Sequence, residues 1–330
     1  MTVLVTGGAG YIGSHMVLEL LDAGESVVVL DNLSTGFRWA VDPRATLIVG
    51  DMGDQPLVET VMRMHRIDAV IHFAAKIVVP ESVSDPLGYY LSNTVKTRAV
   101  MAAAVATGVK HFIFSSTAAV YGTPEVMPVS EEAPTRPESP YGTSKLITEW
   151  MLRDAAAAHE LSYVVLRYFN VAGADPKGRT GQSTPNATHL IKVAVQTALG
   201  LRAKMDVFGT DYPTPDGTCV RDYIHVTDLV RAHLAALAHL RAGGGSMVAN
   251  CGYGRGYSVQ EVIDTVRSVT KVDFRADYAP RRPGDAAAVV ADPTRAKTTF
   301  GWQPAHDDLE EIVEAAYAWE RRLANGSPAV

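Results

Sequence analysis

Short runs of consecutive apolar residues recur along the first half of the chain, each followed by a longer stretch whose apolar positions fall three and four apart. Val3-Leu4-Val5, Val27 to Leu30, Leu47-Ile48-Val49, Ala69-Val70-Ile71, His111 to Phe114 and Tyr163 to Leu166 read as strands. A strand covered on both faces carries a continuous apolar run rather than an alternating one, so the pattern predicts six or more parallel strands between two layers of helices. Helices are expected from about Tyr11 to Ala23, from Leu57 to Met64, and from just after Pro140 to Ala158. Beyond about Gly173 the rhythm loosens into the loops ADPKGRTGQSTPN and GTDYPTPDGT, and helical patterns return at Asp228 to Leu240, Val259 to Val269 and Leu309 to Leu323. The final ANGSPAV should fray. The chain thus reads as a larger α/β unit, residues 1–173, and a smaller α/β unit, residues 174–330, some of whose segments return to the first.

Composition narrows the partners. The 330 residues, 47% of them hydrophobic, suffice for a large core, and 30 basic against 36 acidic side chains leave a net charge of −6. No global positive field exists to hold nucleic acid or an anionic membrane, so an anionic ligand must be gripped by local cations. The chain opens without a basic n-region and carries no apolar run of the ~20 residues that a membrane span needs. Only Cys219 and Cys251 occur, which suits a reducing compartment, and the expected location is cytoplasmic. The ten histidines form no His-Glu-x-x-His pattern, no metal site is expected, and His72 within a strand reads as a packed core residue.

The first chemistry-bearing motif is TGGAGYIG, residues 6–13, between the first strand and the first helix. Gly7 permits a tight turn, Gly10 lets backbone approach a pyrophosphate, and Gly13 lets helix and strand pack closely. Asp31 closes the second strand, where a carboxylate can bind ribose hydroxyls and repel the extra phosphate of NADP, although Arg38 lies within reach. The loop predicts a Rossmann-type doubly wound parallel sheet that binds NAD, with the smaller C-terminal α/β unit taking the substrate.

A second motif, Tyr141-Gly-Thr-Ser-Lys145, sets a phenol and an ammonium one helical turn apart. A tyrosine of reference pKa about 10 is a poor base, but a nearby lysine and a cationic nicotinamide both favour its phenolate. Ser115-Ser116-Thr117 follows the fifth strand at its carboxyl end, where a hydroxyl can relay a proton. A strand cap is the plainer alternative, and Ser115 and Ser116 are expected to bond to backbone.

At this point the chain resembles the UDP-glucose 4-epimerases of the extended short-chain dehydrogenase/reductase family, nearly end to end. The resemblance rests on TGGAGYIGSH (6–15), LDNLS (30–34), VIHFAA (70–75), FIFSSTAAVYG (112–122), SPYGTSK (139–145), LRYFNVAGA (166–174), FGTDYPTPDGTCVRDYIHV (208–226) and APRRPGD (279–285). It implies Thr117, Tyr141 and Lys145 as catalytic residues. It implies Gly7, Gly10, Tyr11, Ile12, Gly13, Asp31, Asn32, Asp51, Met52, Phe73, Ala74, Asn93 and Phe169 at cofactor positions, with Lys76, one place early relative to the family's lysine, beside the cofactor phosphates. Asn170, His189, Leu190, Phe208, Arg221, Tyr223, Arg282 and Asp285 fall at nucleotide-sugar positions, His189 where many members carry Asn.

The implied reaction interconverts UDP-glucose and UDP-galactose through a 4-keto sugar. Val289 stands where members restricted to unacetylated hexoses carry Tyr, which extends the expectation to the N-acetylated sugars. A dehydratase of the same fold should carry an Asp-Glu pair where this chain has Ala118 and Ala119. Other nucleotide-sugar epimerases and a non-catalytic NAD-sensing module are the remaining readings. Family members are usually homodimers joined by helices of the cofactor unit, which points to Met101–Ala106 and the helix after Lys145 as the contact.

Overall fold

The computed structural model describes residues 1–185, 187–282 and 285–326. Asn186 of the first loop, Pro283 and Gly284 of APRRPGD, and the last four residues of the tail expected to fray lie outside the described residues. The first part runs β1 (Thr2–Thr6), α1 (Tyr11–Asp22), β2 (Ser26–Asp31), β3 (Thr46–Val49), α2 (Gln55–Met64), β4 (Ala69–His72), α3 (Val79–Ser84), α4 (Pro86–Tyr89), α5 (Lys96–Thr107), β5 (His111–Thr117), α6 (Pro140–Ala158) and β6 (Ser162–Tyr168). The rest runs β7 (Asn170–Ala172), α7 (Leu190–Ala198), β8 (Met205–Phe208), β9 (Val220–Arg221), β10 (Tyr223–His225), α8 (Val226–Arg241), β11 (Met247–Cys251), β12 (Tyr257–Ser258), α9 (Val259–Thr270), β13 (Ala276–Ala279), β14 (Ala288–Val289), α10 (Thr294–Phe300) and α11 (Leu309–Ala324).

Seven strands form one parallel sheet in the order β11-β6-β5-β4-β1-β2-β3. Six match the apolar runs. The seventh, β11, lies late in the chain and pairs with β6 from Met247↔Val164 to Cys251↔Tyr168. Its polar Asn250, fully buried, breaks the apolar run that marks the others, because its side chain is bonded to Tyr121 and to the Val129 carbonyl.

Alternate residues of each strand enter different cores. Val3 and Val5 of β1 join α1 and α8, while Leu4 joins α2, α5 and α6 on the opposite face. The sheet order reverses between β1 and β4, and at such a switch point the connections leave in opposite directions and open a crevice above the carboxyl ends of the strands. Thr6, Asp31, His72, Thr117 and Tyr168 all end on that edge.

Three small sheets lie outside the main one: β7 with β10, β12-β9-β14, and β8 with β13. Between α4 and α5 the helix continues as a π-helical turn, Tyr90–Val95, whose Asn93 is buried. Such turns carry one extra residue per turn and redirect a side chain. No helix of the described residues is long and apolar enough to cross a membrane, and no described group of three or more His, Cys, Asp or Glu could hold a metal ion.

Candidate active site

The glycine loop has the geometry its sequence implies. Gly7 has φ +73°, and a Cβ there would stand 2.7 Å from the Ala74 nitrogen, while one at Gly13 would stand 2.1 Å from the Gly7 oxygen. Gly10 is the N-cap of α1, no side chain caps that end, and its first turn holds no acidic residue. Its free N–H groups and positive helix end therefore suit a pyrophosphate. The Asp31 carboxylate accepts from Ala9 N (2.9 Å) and Leu33 N (2.8 Å), which fixes it under the loop. Two of its roughly four acceptor positions are thereby used and the rest can take ribose hydroxyls.

Around this loop, Tyr11 donates its hydroxyl to the Gly173 carbonyl (2.7 Å), Ile12 packs against the core, and the exposed Asn32 caps Ser34 N (3.0 Å). Asp51 accepts from Gly53 N (2.7 Å) and pairs with Lys96, which helps hold its carboxyl below the usual range, and Met52 is buried beside it. These residues fit a dinucleotide. Gly13→Ala should weaken NAD binding by about tenfold or more, because the new methyl meets backbone that cannot move aside; titration of cofactor-stripped protein checks it.

Tyr141 and Lys145 open α6, whose N-cap Ser139 accepts from Gly142 N (3.2 Å) and whose first residue is Pro140. A Cβ at Gly142 would lie 2.6 Å from the Ala119 oxygen, so glycine lets the start of α6 press against the turn that follows Thr117. The three side chains are buried. Burial pushes the Tyr141 phenol up to about 12, and a hydrogen bond with Thr117 opposes that rise. Burial pulls Lys145 down to about 7, opposed by the Glu149 carboxylate. The acidification of Tyr141 expected from its lysine is not seen in the protein alone. Lys145 instead donates to the Ser115 carbonyl (3.0 Å) and lies over the Phe114 ring, 4.9 Å from its centroid.

Of the three hydroxyl residues, Ser115 bonds His233 Nε2 (2.9 Å) and Ser116 donates to Glu149 Oε1 (2.5 Å), so both bond side chains rather than the backbone expected. Thr117 Oγ1 accepts from Ala119 N (3.1 Å), which leaves its own proton to point at Tyr141.

Phe73 packs on His233, ring centroids 4.9 Å apart, and Ala74 crowds Gly7. Asn93 accepts from Lys76 N (2.8 Å) and donates to Lys76 O (2.9 Å) and Ser144 Oγ (3.2 Å), so the π-turn fastens the loop after β4 to α6. The Lys76 ammonium lies between Glu81 (3.2 Å) and Asp85 (3.3 Å).

On the other side, Asn170 and Tyr223 face each other across β7 and β10 and, with His189 and Leu190 at the start of α7, line a small pocket of about 20 Å³. Arg282 stacks its guanidinium 3.7 Å from the Phe208 centroid, and Arg221 approaches Asp285 at 3.8 Å. Val289 pairs with Arg221 across β14 and β9 and packs with the buried Phe169. Arg221 makes no ion pair with neighbouring Asp222. That carboxylate is fully buried, accepts from Tyr253 N (2.9 Å), Gly254 N (2.9 Å) and Ala291 N (3.2 Å), and is raised to about 6 by burial.

The sequence of residues 3–252 matches the model of the NAD dependent epimerase/dehydratase family. The chain belongs to that family. It is 58% identical over 321 residues, 97% of this chain and 92% of the relative, to a protein of Azospirillum brasilense named UDP-glucose 4-epimerase. A crystal structure of UDP-glucose 4-epimerase from Brucella ovis in complex with NAD superposes with TM-score 0.94 at 44% identity, covering 96% of this chain and 97% of that one. The UDP-Glc/GlcNAc 4-epimerase of Campylobacter jejuni superposes with TM-score 0.86 at 46% identity, covering 97% and 99%.

Several residues that build this epimerase-family site escaped sequence reasoning. Glu149 and Arg167 form a buried pair (2.5 Å), Glu149 one turn beyond Lys145, and Arg167 also donates to the Tyr121 hydroxyl (3.0 Å). A lone arginine inside the strand VVLRYF was the signal available, since a charge in a buried strand must have a partner. His233 and Gln182 gave no local signal, because their partners lie on distant segments.

Proposed function

We propose that this protein is an NAD-dependent 4-epimerase of UDP-hexoses, interconverting UDP-glucose and UDP-galactose through a 4-keto sugar. The observation that carries the reading is the meeting of Tyr141, Thr117 and Lys145 at the carboxyl edge of the sheet, beside a glycine loop that fits a dinucleotide. Bound NAD supplies an acceptor, and then a donor, for the hydride at C4. Tyr141 takes the proton of the C4 hydroxyl, stabilised as phenolate by the Thr117 hydroxyl and by the ammonium of Lys145, and returns it once the opposite face of the keto sugar is presented. Burial holds the Tyr141 phenol near 12 in the protein alone, and a positive nicotinamide bound beside it would favour the phenolate. Asp31 favours NAD over NADP by charge. Arg221 and Arg282 offer guanidinium forks to the diphosphate, and Phe208 a flat face to the uracil. Ala118 and Ala119, in the turn after Thr117, carry no proton for a dehydration.

Incubation with UDP-galactose and no added reductant should yield UDP-glucose. A dehydrated product, or no product, would overturn the reading. Val289, which pairs with Arg221 across β14 and β9, is smaller than the tyrosine of the restricted family members, so UDP-N-acetylgalactosamine should also react. Val289→Tyr should cut that activity by about tenfold or more while sparing the hexoses; unchanged rates on the acetylated sugar would refute the steric argument.

The active form is a homodimer. Met101, Ala103 and Ala104, expected at the contact, are buried within the chain against α2. Outward apolar side chains lie at Leu87, Leu91 and Val95, four residues apart and 79%, 53% and 55% exposed, and at Trp150, 47% exposed, on α6, the other helix expected at the contact. The same side chains of a second copy cover them by two-fold symmetry. Leu91→Glu should shift the light-scattering mass from dimer to monomer.

A further inference from the structure

The start of α7, on the side of the site assigned above to the nucleotide sugar, carries a histidine whose chemistry depends on which ring nitrogen holds the proton. An asparagine amide donates at every pH, whereas a neutral histidine donates from Nε2 in only one of its two tautomers. His189 is the N-cap residue of α7, but its side chain makes no capping bond. Its Nδ1 faces Gln182 Nε2 at 2.8 Å. An amide N–H pointing at Nδ1 makes that nitrogen the acceptor, so the ring proton must sit on Nε2.

We propose that Gln182 is a positioning residue that holds His189 as the Nε2–H tautomer, presenting that N–H to the anionic diphosphate of the substrate at the start of α7. The proposal rests on the nucleotide-sugar reading above.

Gln182 is itself held firmly. It is buried, and its backbone carbonyl accepts from Lys192 Nζ (2.6 Å). Lys192 pairs in turn with Glu320 of α11, whose other oxygen accepts from Gln196 (3.0 Å). The preceding Gly181 lies against the Trp319 indole, so close that a Cβ would stand 2.4 Å from the ring. The C-terminal helix α11 thus clamps the segment from which Gln182 reaches His189.

The surroundings suit a neutral ring that meets an anion. The charged and titratable groups around it are Lys192 of α7, Glu320 of α11, Arg202 just after α7 and Tyr223 of β10. Lys192 and Glu320 bond each other, and Arg202 is spent on Gln196 (2.8 Å) and the Ala187 carbonyl (3.2 Å). Burial and the Lys192 charge both lower the pKa of His189, so the imidazole stays neutral near pH 7. The first turn of the nine-residue α7 holds no acidic side chain, which leaves its positive end free to favour phosphate oxygens.

The test is Gln182→Glu in the NAD-loaded enzyme. A carboxylate beside Nδ1 can only accept, so the neutral ring must move its proton to Nδ1 and turn a bare Nε2 toward the diphosphate. Only the imidazolium then donates at both nitrogens. The Kd for UDP, divided by the wild-type Kd at the same pH so that titration of UDP's own terminal phosphate cancels, should therefore rise roughly tenfold to a hundredfold as pH increases from about 6 to about 8. KM for UDP-galactose should follow Kd, with kcat changing less. In the double variant Gln182→Glu with His189→Asn the pH dependence of this ratio should vanish.

Nitrogen-15 spectra of histidine-labelled wild type with UDP bound should show His189 protonated at Nε2, which decides the matter even if Gln182→Glu fails to fold. An Nδ1–H signal, or a Kd for Gln182→Glu that is weakened equally at every pH as a merely structural role would give, overturns the proposal. A wild type that binds UDP but converts no UDP-sugar would instead count against the epimerase reading and leave the tautomer assignment standing.

Discussion

Tyr141→Phe should lower turnover of UDP-galactose by roughly a hundredfold to ten-thousandfold, the range that a positioned acid–base group contributes. The ring is buried, and the phenol oxygen interacts with Thr117, so removing it leaves packing nearly unchanged. Folding and NAD content should therefore persist, and the variant should copurify with as much cofactor as the wild type. Product separation after incubation with UDP-galactose gives the rate, and absorbance of the denatured supernatant gives the cofactor. Thr117→Val should act in the same direction but less, because it removes a hydrogen bond to the phenolate rather than the proton carrier. A fully active Tyr141→Phe enzyme would shift the proton transfer to another residue and undo the mechanism.

The second large effect is on stability. Arg167→Met should destabilise the protein by about 3–5 kcal/mol, because it leaves the Glu149 carboxylate buried without its counter-charge. That corresponds to a fall in melting temperature on the order of 10 °C. Glu149 accepts from Arg167 twice and from Ser116, and Arg167 also lies over the Tyr121 ring, 4.9 Å from its centroid. Removing both charges, as Arg167→Met with Glu149→Leu, should recover much of the loss, since the penalty belongs to the unpaired ion rather than to the missing bond. Thermal melts of the two single variants and the double variant give the coupling. A double variant no more stable than Arg167→Met would mean that the pair does not act as a unit. The same carboxylate sustains the charge of Lys145, so the double variant should also lose activity at neutral pH while remaining folded.

The glycine loop and the Tyr-Lys pair were legible because each is local. Three glycines at fixed spacing between a strand and a helix can be recognised without knowing what lies across the sheet, and two residues one turn apart share a face of any helix. The six strands were legible for a related reason, since burial on both sides requires an apolar residue at nearly every position. Where the sequence misled, a distant segment had intervened. Ser115 and Ser116 were expected to bond backbone and instead meet His233 and Glu149. The apolar stripe at Leu87, Leu91 and Val95 became visible only once the fold had covered Met101 and Ala104 and left these three outside.

Residue order alone therefore determined the class of fold, the glycine loop between β1 and α1, and the placing of Tyr141 and Lys145 on one face of a helix, because each depends on neighbours within a few positions. The tertiary structure decided which hydroxyl faces that tyrosine, that β11 completes the sheet, how Arg221, Arg282 and Phe208 gather on one side, and which nitrogen of His189 is bonded. Those outcomes depend on groups up to more than a hundred residues apart, such as Ser115 and His233. Their separation and orientation are set by how the helices pack on the sheet, and no short stretch of sequence encodes it.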